Sequence, residues 1–144
     1  MPDPGYLPDV NVLLALIDRD HVSHRLAAKW FAGMGRHRFL LCSITESGFV
    51  RLAVSPHLMR LEMRAAMALL RQISELSNCE YLPIRRSWLK LVEPFASRLH
   101  GYRQMTDALL LGLAIESRAV LVTLDRRVEA LAGEEFQGNL LVLR

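Results

Sequence analysis

Four carboxylates stand in places where chemistry is possible. Asp9, in YLPDVNVLLALI, precedes the six apolar residues Val12 to Ile17 and is followed two positions later by Asn11. Glu46 lies in SITESGFVRL, Asp107 in MTDALLLGLA, and Asp125 ends AVLVTLD. Each has an ordinary structural role open to it. Asp9 can cap a helix through its side-chain oxygen. Glu46, three residues after Ser43, completes a capping-box pattern. Asp107 suits the first turn of a helix, where the dipole favours an acid, and Asp125 can cap the helix after it. Gathered in one place, however, four acids repel one another and are driven toward their protonated forms unless a cation sits among them. Hard divalent cations take oxygen ligands. One or two such ions can activate water against a phosphodiester and steady the leaving oxygen.

Whether the acids meet depends on the elements that carry them. YLPDV predicts a strand ending near Asp9, and NVLLALID a short buried helix. DHVSHRLAAKWFAGM predicts an amphipathic helix capped by Asp20, with Ala27, Trp30, Phe31 and Met34 on one face. RFLLC reads as a buried strand, and SITESGFVRLAVS as a helix stopping before Pro56. LEMRAAMALLRQISEL reads as a long helix with Leu61, Ala65, Ala68, Leu69 and Ile73 inward. CEYLPI is a strand, and RSWLKLVEPFASRL a helix interrupted at Pro94. TDALLLGLAIES is a helix apolar on all sides and so packed on several. AVLVTLD is a buried strand, RRVEALA a helix and NLLVL a last strand. This alternation predicts an α/β fold, a mostly parallel, Rossmann-like sheet with helices on both faces. In such sheets ligands bind outside the carboxyl ends of the strands, near a topological switch point. Asp9, Glu46, Asp107 and Asp125 are all assigned to that edge.

The composition of the 144 residues suits one globular domain over 1–144, with 51% hydrophobic and 23% charged residues. No apolar run approaches the ~18 residues of a membrane span. The start lacks the pattern of a signal peptide, and Cys42 and Cys79 form neither a disulfide framework nor a zinc pattern. A cytoplasmic setting is the expectation. Net charge is +3, and sixteen of the 18 basic residues are Arg, the side chain whose planar fork matches phosphate. If the four acids were taken up by a cation, the remaining surface would be more basic still, which points to a polyanionic partner such as nucleic acid, although an Arg-rich composition also follows from base composition alone.

These segments resemble the PIN-domain family, and within it the VapC-type toxins of bacterial type II toxin–antitoxin pairs. LPDVNVLLAL resembles the opening motif, an acid followed two residues later by Asn. SITESGFVRL resembles the second motif, built around a Glu. MTDALLLGLA resembles the third, an Asp-Ala pair opening a helix, and LVTLDRRV the fourth, a Thr and an Asp at a strand end. Order and overall spacing also match; the stretch from about Pro56 to Gln104 carries no motif. Val10 departs from the pattern, since many relatives have a small hydroxyl residue there.

The resemblance implies a ribonuclease dependent on Mg²⁺ or Mn²⁺. Asp9 and Asp107 would be the most direct metal ligands, while Glu46 and Asp125 bind a second ion or hold the attacking water. Asn11 would orient Asp9 or a bound water, and Thr123 would be a hydrogen-bonding neighbour. It also implies a homodimer and a VapB-type antitoxin whose tail lies across the active site. AAKWFAGM and the Met-containing helix LMRLEMRAAMALL are compatible with apolar docking faces, or with ordinary core packing. Arg51, Arg126 and Arg127 are offered as RNA contacts, the last two following Asp125 at the active edge; RHR at 36–38 and Arg85-Arg86 extend the track. His21 and His24 have i, i+3 spacing but no third ligand nearby, and nothing supports His100 as a base. A receiver-type phospho-acceptor domain shares the alternating pattern and the acids, but needs a Lys at a strand end, and Lys29 and Lys90 both fall in predicted helices. A non-catalytic interaction module on the same fold is the other alternative. No glycine-rich loop follows a strand, which disfavours nucleotide binding.

Overall fold

A computed structural model describes residues 3–144. The chain runs β1 (Tyr6–Pro8), α1 (Val10–Ile17), α2 (His24–Met34), β2 (Phe39–Leu41), α3 (Ser43–Val54), α4 (Met63–Ser74), β3 (Cys79–Tyr81) and α5 (Trp88–Val92). Two 3-10 segments, Glu93–Arg98 and Tyr102–Gln104, lead into α6 (Met105–Glu116), then β4 (Val120–Thr123), α7 (Val128–Ala132), a 3-10 turn Gln137–Asn139 and β5 (Leu140–Val142). The sheet order is β3-β2-β1-β4-β5, and every pairing is parallel. Tyr6 pairs with Phe39 on one side and Val120 on the other. The chain therefore builds outward from β1 to β3, then returns to add β4 and β5 on the opposite side. The switch point falls between β1 and β4, where a crevice opens at the strand ends.

Alternation along the short strands divides the core in two. Leu40 joins Leu7, Leu121, Phe95 and the α6 leucines, while its neighbours Phe39 and Leu41 join Leu13, Phe49, Ala66 and Ile73 on the other face. The uniformly apolar α6 is enclosed as its composition predicted: Ala108, Leu110, Leu111, Gly112, Leu113 and Ala114 are all buried. Each of its three buried leucines contributes about 2 kcal/mol relative to exposure. Such enclosure needs close approach, and Gly112 allows it, because a Cβ there would lie 2.3 Å from the Leu91 carbonyl oxygen of α5. Gly48 plays the same part between α3 and α1, where a Cβ would come within 2.5 Å of Val10 Cγ2. The branched Val10 thus sits over a glycine on the neighbouring helix.

Local expectations differ in three places. Asp20 does not cap α2, which starts later, at His24; Ser23 occupies the cap position, and the exposed Asp20 lies in the turn before it, its N–H on Asp18 Oδ1. In α3 the capping box is closed by Thr45, not Glu46. Helix α3 begins one residue after Cys42, so Thr45 is the residue whose hydroxyl accepts from the Cys42 N–H at 3.1 Å and donates to the Cys42 carbonyl at 3.0 Å. In α4, Ala65 and Ala68 face outward. The inward stripe is Ala66, Leu69, Leu70 and Ile73, the i, i+3, i+4, i+7 set one residue out of phase with the alanines chosen. Trp30 and Phe31 pack on the Phe39 ring, at 6.2 and 5.6 Å between centroids, so this part of α2 is core-facing, while Met63 and Met67 of α4 remain exposed. Pro94 does break its helix, with Phe95 leaving helical geometry at φ −132°.

The Gly112 contact is with backbone, which cannot rotate out of the way. Gly112→Ala is therefore expected to cost at least about 1–3 kcal/mol. Equilibrium urea unfolding measures it; a midpoint equal to that of the parent protein would show that α5 shifts at no cost.

Candidate active site

Asp9 ends β1 and begins α1. Its extended backbone (φ −74°, ψ 176°) is that of an N-cap, and its Oδ1 accepts the Val12 N–H at 2.9 Å. The capping role is therefore real, but it occupies only one oxygen. The other, Oδ2, accepts a 2.6 Å bond from the Thr123 hydroxyl at the end of β4. That hydroxyl also accepts the Asp125 N–H at 3.0 Å. Thr123 is fully buried and Asp9 only 5% exposed. Burial raises the Asp9 pKa, and the bonds from Thr123, Val12 and the Asn11 backbone oppose the rise. The exposed side chain of Asn11 lines a neighbouring cleft with His21, Ser23, Leu124, Asp125 and Arg126.

Asp107 opens α6, half-buried. Its pKa is raised to about 6, first by burial and then by the charges of Asp9 and Asp125, with Arg127 pulling the other way. Asp125 is lowered, mainly by hydrogen bonds from the Arg127 side chain. Arg127 Nε and Nη2 reach both Asp125 oxygens at 2.8–3.1 Å, and the Arg127 N–H adds a bond at 2.9 Å. In this conformation Arg127 is the partner of a pocket acid, a role that Asp-x-Arg spacing could have suggested. Arg126 and Arg51 are exposed, the latter in the last turn of α3.

Asp9, Asp107 and Asp125 therefore form one electrostatic cluster at the switch point. Glu46 lies in the first turn of α3, half-buried and free of capping duty; its charge acts on Cys79, whose thiol is pushed up by burial, Glu46 and Glu80. Among the described residues no three acidic, His or Cys side chains are already arranged as a metal-binding group. His21 and His24 are engaged elsewhere: His21 Nδ1 accepts from the Ser23 N–H, and His24 Nδ1 bonds the Ala15 carbonyl. Two residues escaped the sequence reading. Arg103 and Gln104 share a small cleft with Asp107, Asp125 and Arg127; Arg103 lies four residues before Asp107, the only signal available. The chemistry of the acid cluster nevertheless fits a hard cation. It is all oxygen, and the like charges that add to burial in raising the Asp107 pKa are charges a divalent ion would neutralise.

Two stability effects of opposite sign follow. The folded chain holds a proton on Asp107 that the unfolded chain gives up near pH 3.8. Stability of the metal-free protein from this group is present below that pH and is lost as pH rises through about 6. In chelator at pH 7.5, Asp107→Asn is expected to stabilise by about 1 kcal/mol, a value reduced for partial solvent screening. Thr123→Val leaves a buried carboxylate short of a donor and is expected to destabilise by about 1–3 kcal/mol. Urea midpoints of both variants decide, and a destabilised Asp107→Asn would contradict the like-charge account.

Comparison with known proteins gives the family. The PIN domain family profile matches residues 6–134. Ribonuclease VapC44 of Mycobacterium tuberculosis is 38% identical over 123 residues, which is 85% of this chain and 87% of that protein. Ribonuclease VapC38 of the same organism is 33% identical over 128 residues (88% and 89%), and Ribonuclease VapC39 is 32% identical over 143 (95% and 98%). With an all-parallel sheet, acids at its switch point and relatives matched over nearly their whole length, the chain belongs to the PIN-domain family, among its VapC-type members.

Proposed function

We propose that this chain, a single domain over 1–144, is an endoribonuclease and the toxin of a toxin–antitoxin pair. It hydrolyses RNA phosphodiester bonds with a carboxylate-bound divalent cation, Mg²⁺ or Mn²⁺. The observation that carries the reading is the pairing of a locked acid with a loose one. Asp9 is fixed by Thr123 and Val12, and Asp107 stands in the field of two like charges. Relatives named as VapC ribonucleases support the activity.

Asp9 and Asp107 are the residues that would hold the ion. When bound, it supplies charge neutralisation and a more acidic water. The chain's own contributions are positional. Thr123 keeps the Asp9 carboxylate aimed, and its hydrogen bond opposes the rise in pKa that burial imposes. Asp125 is held by Arg127 until substrate phosphate competes for that guanidinium, and is then available to orient water. Glu46, unburdened by capping, takes the same role from the α3 side, and the Asn11 amide lies across the neighbouring cleft to bond water or substrate. Arg126 and Arg51 offer phosphate contacts. A VapB-type antitoxin, a homodimer and a cytoplasmic site of action complete the proposal. No helix is long and apolar enough to cross a membrane among the described residues.

Incubation with a structured RNA pool tests this. The parent protein is expected to cut in Mg²⁺ or Mn²⁺ and not in chelator, and Asp107→Asn not to cut at all. Thr123→Val should lower activity by about 10–100-fold, as loss of an outer-shell donor does. Equal cutting by parent and Asp107→Asn would assign the activity to a contaminant. The salt dependence of RNA binding checks the basic rim: Arg126→Gln should reduce the slope of log K against log salt by about one.

A further inference from the structure

We propose that Tyr102 is a base-stacking platform that holds one unpaired base of a single-stranded RNA beside the acid cluster, with Arg103 on the adjoining phosphate. The proposal rests on the ribonuclease reading and adds a residue that positions the substrate.

Tyr102 is 81% exposed, an unusual position for a large aromatic ring. It stands on the 3-10 turn Tyr102–Gln104, which runs directly into α6. The turn is not loose. Gln104 Oε1 accepts the N–H groups of His100 at 2.7 Å and Gly101 at 3.1 Å, which pins its start. Arg103 Nε donates to the Tyr102 hydroxyl at 3.3 Å, and its guanidinium carbon lies 5.7 Å from the ring centroid. Arg103 and Gln104 line the cleft that also contains Asp107, Asp125 and Arg127. Five residues separate Tyr102 from Asp107, about 8 Å at helical rise. The neighbours of Tyr102, Arg103 and Gln104, line the acid cleft, so a base on the ring would belong to a nucleotide flanking that cleft.

The chemistry selects a single strand. A ring held open to solvent beside a guanidinium matches the stacking and phosphate pairing by which proteins bind unpaired nucleotides. A base inside a duplex has both faces covered and cannot use it. The residues beside Tyr102, namely His100, Gly101, Arg103 and Gln104, are polar or small. They do not form the water-excluding surround that an aromatic anchor needs in a protein interface.

The test uses the full chain in Mg²⁺ and a mixed-sequence RNA carrying 2-aminopurine, whose fluorescence is quenched on stacking. With Asp107→Asn protein, quenching is expected on binding. Adding Tyr102→Ala should remove the quenching and weaken single-strand binding about tenfold, the loss of one stacked base. Tyr102→Phe should restore both, and a blunt duplex of the same sequence should bind all three proteins alike. In the otherwise unmodified enzyme, Tyr102→Ala should raise KM for the single strand by a similar factor. Parent-like binding, quenching and KM in Tyr102→Ala overturn the platform while leaving the nuclease intact. Failure of Tyr102→Phe to rescue overturns stacking as the cause. If the parent neither cuts nor binds RNA, the ribonuclease reading falls and the platform with it.

Discussion

The 2.6 Å hydrogen bond from Thr123 to Asp9 joins the carboxyl ends of β1 and β4 across 114 residues of sequence. It sits where the order of the strands reverses, at the one place in the sheet where the chain leaves a crevice rather than a crossover. One hydroxyl performs two tasks there. It donates to the buried acid and receives the N–H of Asp125, so the positions of two acids on different strands are set by a single atom. A buried carboxylate is tolerable only with such partners. Asp9 is kept in place by donors from Val12 and Thr123, and the geometry of the cluster follows from that requirement.

The rest of the fold serves this edge at some cost. Asp107 is brought into the field of Asp9 and Asp125 by α6, a helix whose apolar residues leave it no freedom to move away. The enclosure of α6 depends in turn on Gly112 against the Leu91 carbonyl. The energy of core burial thus holds together acids that would otherwise separate, which is the usual relation between a stable scaffold and a strained functional site. Arg127 relieves part of the repulsion by pairing with Asp125. Because the guanidinium is exposed, the relief is exchangeable: a phosphate group competes for the same fork.

Much of this was legible in the sequence. The alternation of apolar strands with amphipathic segments was enough for the parallel sheet, and the acids stood out because each falls at a strand end or in the first turn of a helix on the same edge. Helix boundaries were less so. Asp20 and the SITE pattern both satisfy capping rules, yet Ser23 occupies the cap position at α2 and Thr45 closes the box at α3. Several residues near a helix start can cap it, and packing decides which turn begins. Of the stripe expected for α4, Leu61, Leu69 and Ile73 face inward and only Ala65 and Ala68 were misplaced, for a related reason: alanines suit either side of a helix, so the larger side chains alone mark the face.

What the sequence determined by itself was the class of fold and the sheet edge on which Asp9, Glu46, Asp107 and Asp125 stand, because apolar period and chain order are local properties. Tertiary structure alone decided how they are shared. It drew Asp9, Asp107 and Asp125 into one field while Glu46 acts on Cys79, paired the exposed Arg127 with Asp125, and set Arg103 beside the same cleft. These are contacts between side chains on separate elements, or choices among rotamers. Their energies depend on distance and burial that no spacing along the chain encodes.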